Sequence, residues 1–211
     1  MAVLGEVVVD LRCTPLSGPP QALQIEPIAT DKPRIGSSLM PLDPGDAFPG
    51  LSLTVPGGET LNIPDAFAGQ FGVILFIRGA WCPYCNAQLR AFNRARVILR
   101  EAGVRVAALS VDDEVTTAAL VVRHGLTFPV GFGADARAVA ALTGAFVNPG
   151  PVYLQPTGFV LDPGGNVLVS VYSSGAIGRL VPEDIAGLVN YVRERTGAQR
   201  RSASPADRLP R

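Results

Sequence analysis

Two cysteines three residues apart, set between an apolar run and a helical repeat, constrain this chain more than any other feature. Residues 71–78 are β-branched, aromatic and aliphatic up to Arg78, the composition of a buried strand. Gly79 and Ala80 break the run, and Trp81-Cys82-Pro83-Tyr84-Cys85 follows. Beyond it, Leu89, Phe92, Ala95, Leu99 and Ala102 recur at helical spacing, with Arg90, Asn93, Arg94, Arg100 and Glu101 on the opposite face. Pro83 suits the first turn of a helix, where its missing N–H would have found no partner. Cys82 is therefore expected at or just before the helix N-terminus, with Cys85 about one turn in and on the same side. The first N–H groups of a helix lack intrahelical partners, and the macrodipole adds positive potential there. Both favour a thiolate, so Cys82 is predicted to be the nucleophilic thiol and Cys85 the one held protonated. A disulfide between them closes a loop too short to constrain much unfolded-chain entropy, which favours a bond made to be broken.

A metal half-site is the competing reading of such a pair. Zinc takes four ligands, and only Cys13 and His124 remain as further thiol or imidazole candidates. No metal and no bound organic cofactor is expected. The chain has 211 residues, is 47% hydrophobic and 17% charged, and carries no net charge, which affords a sizeable core and gives no electrostatic pointer to nucleic acid. Lys32 is the only lysine, and the arginines are scattered. Glu6, Asp10 and Arg12 interrupt any early apolar segment, and no stretch approaches the length of a membrane span. Three cysteines do not make a secreted disulfide framework, so a cytoplasmic location is expected.

In order along the chain, residues 1–45 are rich in Pro, Gly and Ser and read as an arm. Residues 46–196 read as one domain, and 197–211 as a disordered tail. Leu51–Val55, the Pro56-Gly57-Gly58 turn and Glu59–Ile63 form a hairpin. After the helix that Gly103 ends, 104–111 is a strand. Asp112 and Asp113 are candidate N-caps for a helix presenting Val115, Ala118, Ala119 and Val122 on one stripe, closed by Gly125. A short strand at 128–132, a helix at 134–142, an antiparallel hairpin around Pro163-Gly164-Gly165 and a final helix at 182–195 complete the order. This is an α/β arrangement with a central mixed sheet flanked by helices and an N-terminal β-hairpin extension.

The strand, Trp81-Cys82-Pro83-Tyr84-Cys85 and amphipathic helix resemble the thioredoxin fold, with Pro156-Thr157 before Phe159-Val160-Leu161-Asp162 similar to its cis-proline strand. The hairpin, Leu126-Thr127-Phe128-Pro129-Val130 with Asp135 beyond, and Gly178-Arg179 before the last helix resemble the alkyl hydroperoxide reductase/thiol-specific antioxidant group, the peroxiredoxin-like proteins. That family usually carries Pro-x-x-x-Thr/Ser-x-x-Cys; Leu75 and Gly79 stand at the first two places here, and Pro156 stands where an arginine is usual. Arg179 matches the family's second arginine. The resemblance implies a thiol-dependent oxidoreductase acting on a hydroperoxide or a disulfide and regenerated by an external thiol reductant such as a thioredoxin-type protein. It also implies a possible homodimer.

On this reading the catalytic residues are Cys82 and Cys85. Trp81, Pro83, Tyr84, Arg78, Arg179 and Pro156 are candidate supporting residues, Pro156 with a cis peptide bond that leaves neighbouring backbone groups open to a partner. Strand alternation could turn Arg78 away from the thiols. His124 is read as a cation favourable to a helix C-terminus. A protein dithiol-disulfide reductase is one alternative. Another is a non-enzymatic redox sensor or binding module in which the Cys82 and Cys85 pair switches a surface for a partner, with the Cys13 arm and the basic tail (Arg200, Arg201, Arg208, Arg211) giving it footing.

Overall fold

The computed structural model describes residues 40–202, with side chains to residue 196. Cys13, most of the predicted arm and residues 203–211 lie outside the described residues. A five-stranded mixed sheet runs through the centre. Its middle strand is β3 (Phe71–Phe76), buried at every position, as expected of a strand covered on both faces. Parallel to it runs β4 (Val104–Leu109), which pairs in turn with the two-residue β5 (Val130–Gly131). On the other side β8 (Thr157–Leu161) and β9 (Val167–Tyr172) form the antiparallel hairpin, and Gly165 takes the positive φ its turn requires.

Each face of this sheet has its own core. Val73, Leu75 and Ile77 point to a layer formed by α1 (Pro83–Arg94), α2 (Arg96–Glu101), α3 (Glu114–His124) and α5 (Pro182–Ser202). Ile74 and Phe76 point to the opposite layer, where β1 (Leu51–Thr54), β2 (Thr60–Ile63) and α4 (Ala136–Thr143) pack. Alternation along β3 thus divides its side chains between two cores. Both cysteines belong to the helix-covered one.

Several expectations need correction. The helix after Cys82 is two helices, broken at Ala95, whose N–H turns back to the carbonyls of Ala91 and Asn93. Its apolar face survives the break, since Leu89, Phe92, Leu99 and Ala102 are all buried. In α3 the predicted stripe is on the wrong side: Val115 and Val122 are 79% and 81% exposed, while Thr117 and Leu120 are buried. The run EVTTAALVVRH carries small or apolar residues nearly all round, so periodicity alone could not choose its face. At its last residue, His124, burial pushes the pKa down and Arg90 and Arg123 push the same way, which disfavours the charged form expected at the helix end. The last helix continues to Ser202, past its predicted end at 195. A two-stranded hairpin, β6 (Val147–Pro149) with β7 (Val152–Leu154), was not anticipated, although Pro149-Gly150-Pro151 is a turn signal.

Candidate active site

At the C-terminal end of β3 the chain leaves the sheet through Ile77 and Arg78, and a tight loop delivers Cys82 to α1. Gly79 has φ 144°, a backbone conformation suited to glycine. Three hydrogen bonds pin the loop, and a fourth holds Asp112 in place. Ala80 N–H donates to the Asp112 carboxylate (2.7 Å), and Asn86 donates its amide N–H to the Ala80 carbonyl (2.9 Å). Cys82 N–H donates to the Gly79 carbonyl (3.1 Å), and Ser110 donates its hydroxyl to Asp112 (3.0 Å). The paired aspartates at the end of β4 therefore divide their work. Asp113 caps α3, accepting from Thr116 N–H at 2.7 Å, and Asp112 reaches across to the cysteine loop.

Cys82 is the N-cap residue of α1 and Pro83 follows at its first position, as the spacing predicts. Both cysteines are free thiols with no surface open to water, and Cys85 lies deeper. Burial pushes the Cys82 thiol up, but the Cys85 backbone N–H and thiol, the Arg179 guanidinium and the Tyr84 N–H outweigh it, leaving the pKa below the ordinary thiol value. For Cys85 burial dominates; Arg179 opposes it, the neighbouring Cys82 sulfur adds to it, and the pKa is raised. One thiol is thus biased towards the nucleophilic anion and the other towards the proton-bearing form.

Two guanidinium groups flank the pair. Arg179 donates from Nη2 to Cys85 Sγ (3.3 Å), lies 3.8 Å from Cys82 Sγ, and is held by Gln88 Oε1 and the Ala176 carbonyl. Buried Gln88 in turn donates to the Leu180 carbonyl, fixing the loop that carries Arg179. Arg78 is not turned away. The strand ends at Phe76, so alternation does not govern this side chain, and its Nη1 lies 4.0 Å from Cys82 Sγ. Its backbone N–H donates to Cys85 Sγ (3.2 Å). The Nε groups of both arginines are buried without a hydrogen-bond partner.

Trp81 and Tyr84 are 57% and 50% exposed beside the buried thiols. Trp81 packs edge-on against Tyr153 and takes the Arg78 guanidinium over its ring. The Gln155–Pro156 bond is trans, the described cis bonds being Ile63–Pro64 and Gly150–Pro151. Gln155, which precedes Pro156, is moreover tied down: its N–H donates to the Phe146 carbonyl and its carbonyl accepts from the Thr157 hydroxyl. The open backbone ledge expected at Pro156 is therefore closed. Gln88, Asp112 and Tyr153 were not foreseen as parts of the site. Gln88 could have been found as a polar residue three positions from Cys85 on an apolar helix face; Tyr153 carries no local signal. Among the described residues, no group of three or more His, Cys, Asp or Glu is placed to hold a metal ion. No helix there is long and apolar enough to cross a membrane.

Gly79 occupies the place where the resembled family carries Thr or Ser. A Cβ there would lie 2.6 Å from Trp81 Nε1 and 3.0 Å from an Asp112 carboxylate oxygen. Gly79→Thr is therefore expected to destabilise the fold by about 1–3 kcal/mol through its backbone conformation alone. It is also expected to displace Trp81 and slow the reaction of Cys82. Calorimetry and tryptophan fluorescence check this; a variant as stable as the parent and faster with peroxide would show that the site accepts the family's hydroxyl.

A model of the AhpC/TSA family matches residues 44–170, more than half of the chain. A peroxiredoxin of Methanococcus vannielii is 26% identical over 171 residues, covering 77% of this chain and 76% of that protein. Among solved structures, AhpC of Mycobacterium tuberculosis superposes with a TM-score of 0.60 at 19% identity, over 73% of this chain and 94% of its own. A peroxiredoxin-like protein from Aquifex aeolicus gives 0.62 at 16% identity, over 72% and 88%. These likenesses support the thioredoxin-like α/β architecture.

Proposed function

The chain belongs to the AhpC/TSA family, a family of thiol-dependent peroxidases, and we propose that Cys82 is its peroxide-attacking thiol and Cys85 its resolving thiol. The observation that carries this reading is the placement of Cys82 at a helix N-cap between two guanidinium groups, with Cys85 on the same helix one turn on. The Cys82 thiolate attacks one oxygen of a hydroperoxide; the O–O bond breaks, the sulfur is oxidised to the sulfenic acid, and the other oxygen leaves as an alcohol or water after taking a proton. Arg78 and Arg179 supply N–H donors for the departing oxygen, taking over from the arginine that Pro156 replaces. The Cys85 thiol then attacks the sulfenic sulfur, water leaves, and a Cys82–Cys85 disulfide forms. An external dithiol, such as a thioredoxin-type protein, returns the pair to thiols by exchange.

A dithiol-disulfide reductase is the second reading, favoured by the Cys-Pro-Tyr-Cys pair itself and by the exposed Trp81 and Tyr84 beside it. The backbone at Gln155 weighs against it, because the residue is buried and its N–H is already paired with Phe146. Trp81 is the only tryptophan and touches Arg78 and Tyr153, so its fluorescence reports on the site. Reduced protein mixed with hydrogen peroxide in stopped flow is expected to change fluorescence far faster than a free thiol reacts. Peroxide oxidation no faster than a free thiol, with rapid reduction of insulin disulfides at the same concentration, would replace the peroxidase with the reductase.

A further inference from the structure

The unforeseen hairpin β6–β7 places one residue in the site. Tyr153 is buried, and its phenol oxygen accepts a hydrogen bond from Arg78 Nη2 at 2.7 Å. The same guanidinium carbon lies 5.0 Å from the Tyr153 ring centroid and 4.8 Å from that of Trp81, and the two rings meet edge-on at 5.3 Å. Arg78 thus sits in the corner made by two touching aromatic rings and is tethered by one hydroxyl. Among the described residues no carboxylate pairs with it, and its Nε is buried without a partner. An arginine side chain has four rotatable bonds, and solvent lies beyond the half-exposed Trp81. The Tyr153 hydroxyl and the two rings hold the guanidinium beside Cys82 Sγ against the pull of water, where a cation is better hydrated.

We propose that Tyr153 is a positioning residue for the thiol chemistry, acting through Arg78: its hydroxyl and ring hold the guanidinium against Cys82. The proposal rests on the reading above only in taking Cys82 as the reacting thiol. Arg78 in turn serves two ends, as a positive charge beside the thiolate and as an N–H donor towards an oxygen atom bound there. The hairpin is the element that brings Tyr153 to Arg78.

The test is Tyr153→Phe, which keeps the ring and removes the hydroxyl. Alkylation of Cys82 by iodoacetamide is followed against pH, with the labelled residue identified by peptide mass mapping. The groups that face this sulfur are Cys85 on α1, Arg179 ahead of α5, Arg78 at the end of β3 and, through Arg78, Tyr153 on β7. In Tyr153→Phe the midpoint of the pH profile is expected to move upward, and the rate at neutral pH to fall about tenfold, the loss of one hydrogen bond to a charged group. In an Arg78→Met background, adding Tyr153→Phe is expected to change nothing further. A wild-type pH profile in Tyr153→Phe would overturn the proposal, as would an undiminished effect in the Arg78→Met background. Alkylation needs no peroxide, so a chain that fails as a peroxidase can still show this coupling, and a working peroxidase can fail to show it.

Discussion

Cys82→Ser is expected to lose peroxide-dependent turnover by about three orders of magnitude or more, a rise of at least ~4 kcal/mol in the barrier. The reason lies in what the site is built to stabilise. A helix N-cap, the Cys85 backbone N–H and thiol, and the Arg179 guanidinium overcome the cost of burying Cys82 and hold its pKa below that of an ordinary thiol. The same surroundings cannot ionise a serine hydroxyl to any useful extent, because its pKa starts several units higher, and oxygen is a poor nucleophile towards a peroxide. In the parent protein the rate of Cys82 oxidation should begin to fall at a lower pH than that of an ordinary thiol, since the reactive species is the anion. The measurement is consumption of hydrogen peroxide with a dithiol reductant present, for parent and variant. Near-parental consumption by Cys82→Ser would move the chemistry to another residue and remove the assignment altogether. Serine is close in size to cysteine and the position is an N-cap, where serine is favoured, so the variant is expected to fold.

What could be read from the sequence was local. The strand ending near Arg78, the helix start at Pro83 and the unequal thiols follow from spacing and from the end-effects of a helix, which need no knowledge of distant residues. Gly103, Gly125 and Gly165 likewise announce the ends and turns they make, each at positive φ. What could not be read was brought together from afar. Arg78 was doubtful because its direction depends on where β3 stops, and the strand stops at Phe76, one residue before the apolar run ends. Tyr153 is 75 positions from Arg78 and lies in a short hairpin whose own pattern is too brief to show alternation. Asp112 is adjacent to a true N-cap and reads as a second one, until the loop after β3 presents Ala80 N–H to it. The cis-proline expectation at Pro156 came from resemblance alone. It failed because Gln155 is tied to Phe146 and Thr157 and feeds β8 without the cis bond.

Cys85→Ser separates the two thiols and carries the second large effect. If Cys85 resolves, the variant consumes about one equivalent of peroxide per chain and then stops, holding Cys82 as a sulfenic acid that dimedone labels. The first oxidation should remain fast, because the influences that lower the Cys82 pKa survive the change. The residue-85 backbone N–H and Arg179 are still present, and a serine hydroxyl can donate to the thiolate as the Cys85 thiol does. Burst-phase fluorescence of Trp81 followed by steady-state peroxide consumption reads both halves in one experiment. The burst is expected to persist, while the steady state falls to the rate at which the reductant reaches a sulfenic acid on a sulfur with no surface open to water. Full steady-state turnover in Cys85→Ser would mean that the external thiol, and not Cys85, resolves Cys82. Loss of the burst as well would mean that the raised pKa of Cys85 serves the first step, with its proton passing to the departing oxygen. In that case the thiol would be the general acid of peroxide cleavage, and Arg78 and Arg179 would serve chiefly to hold the two sulfurs in unlike states.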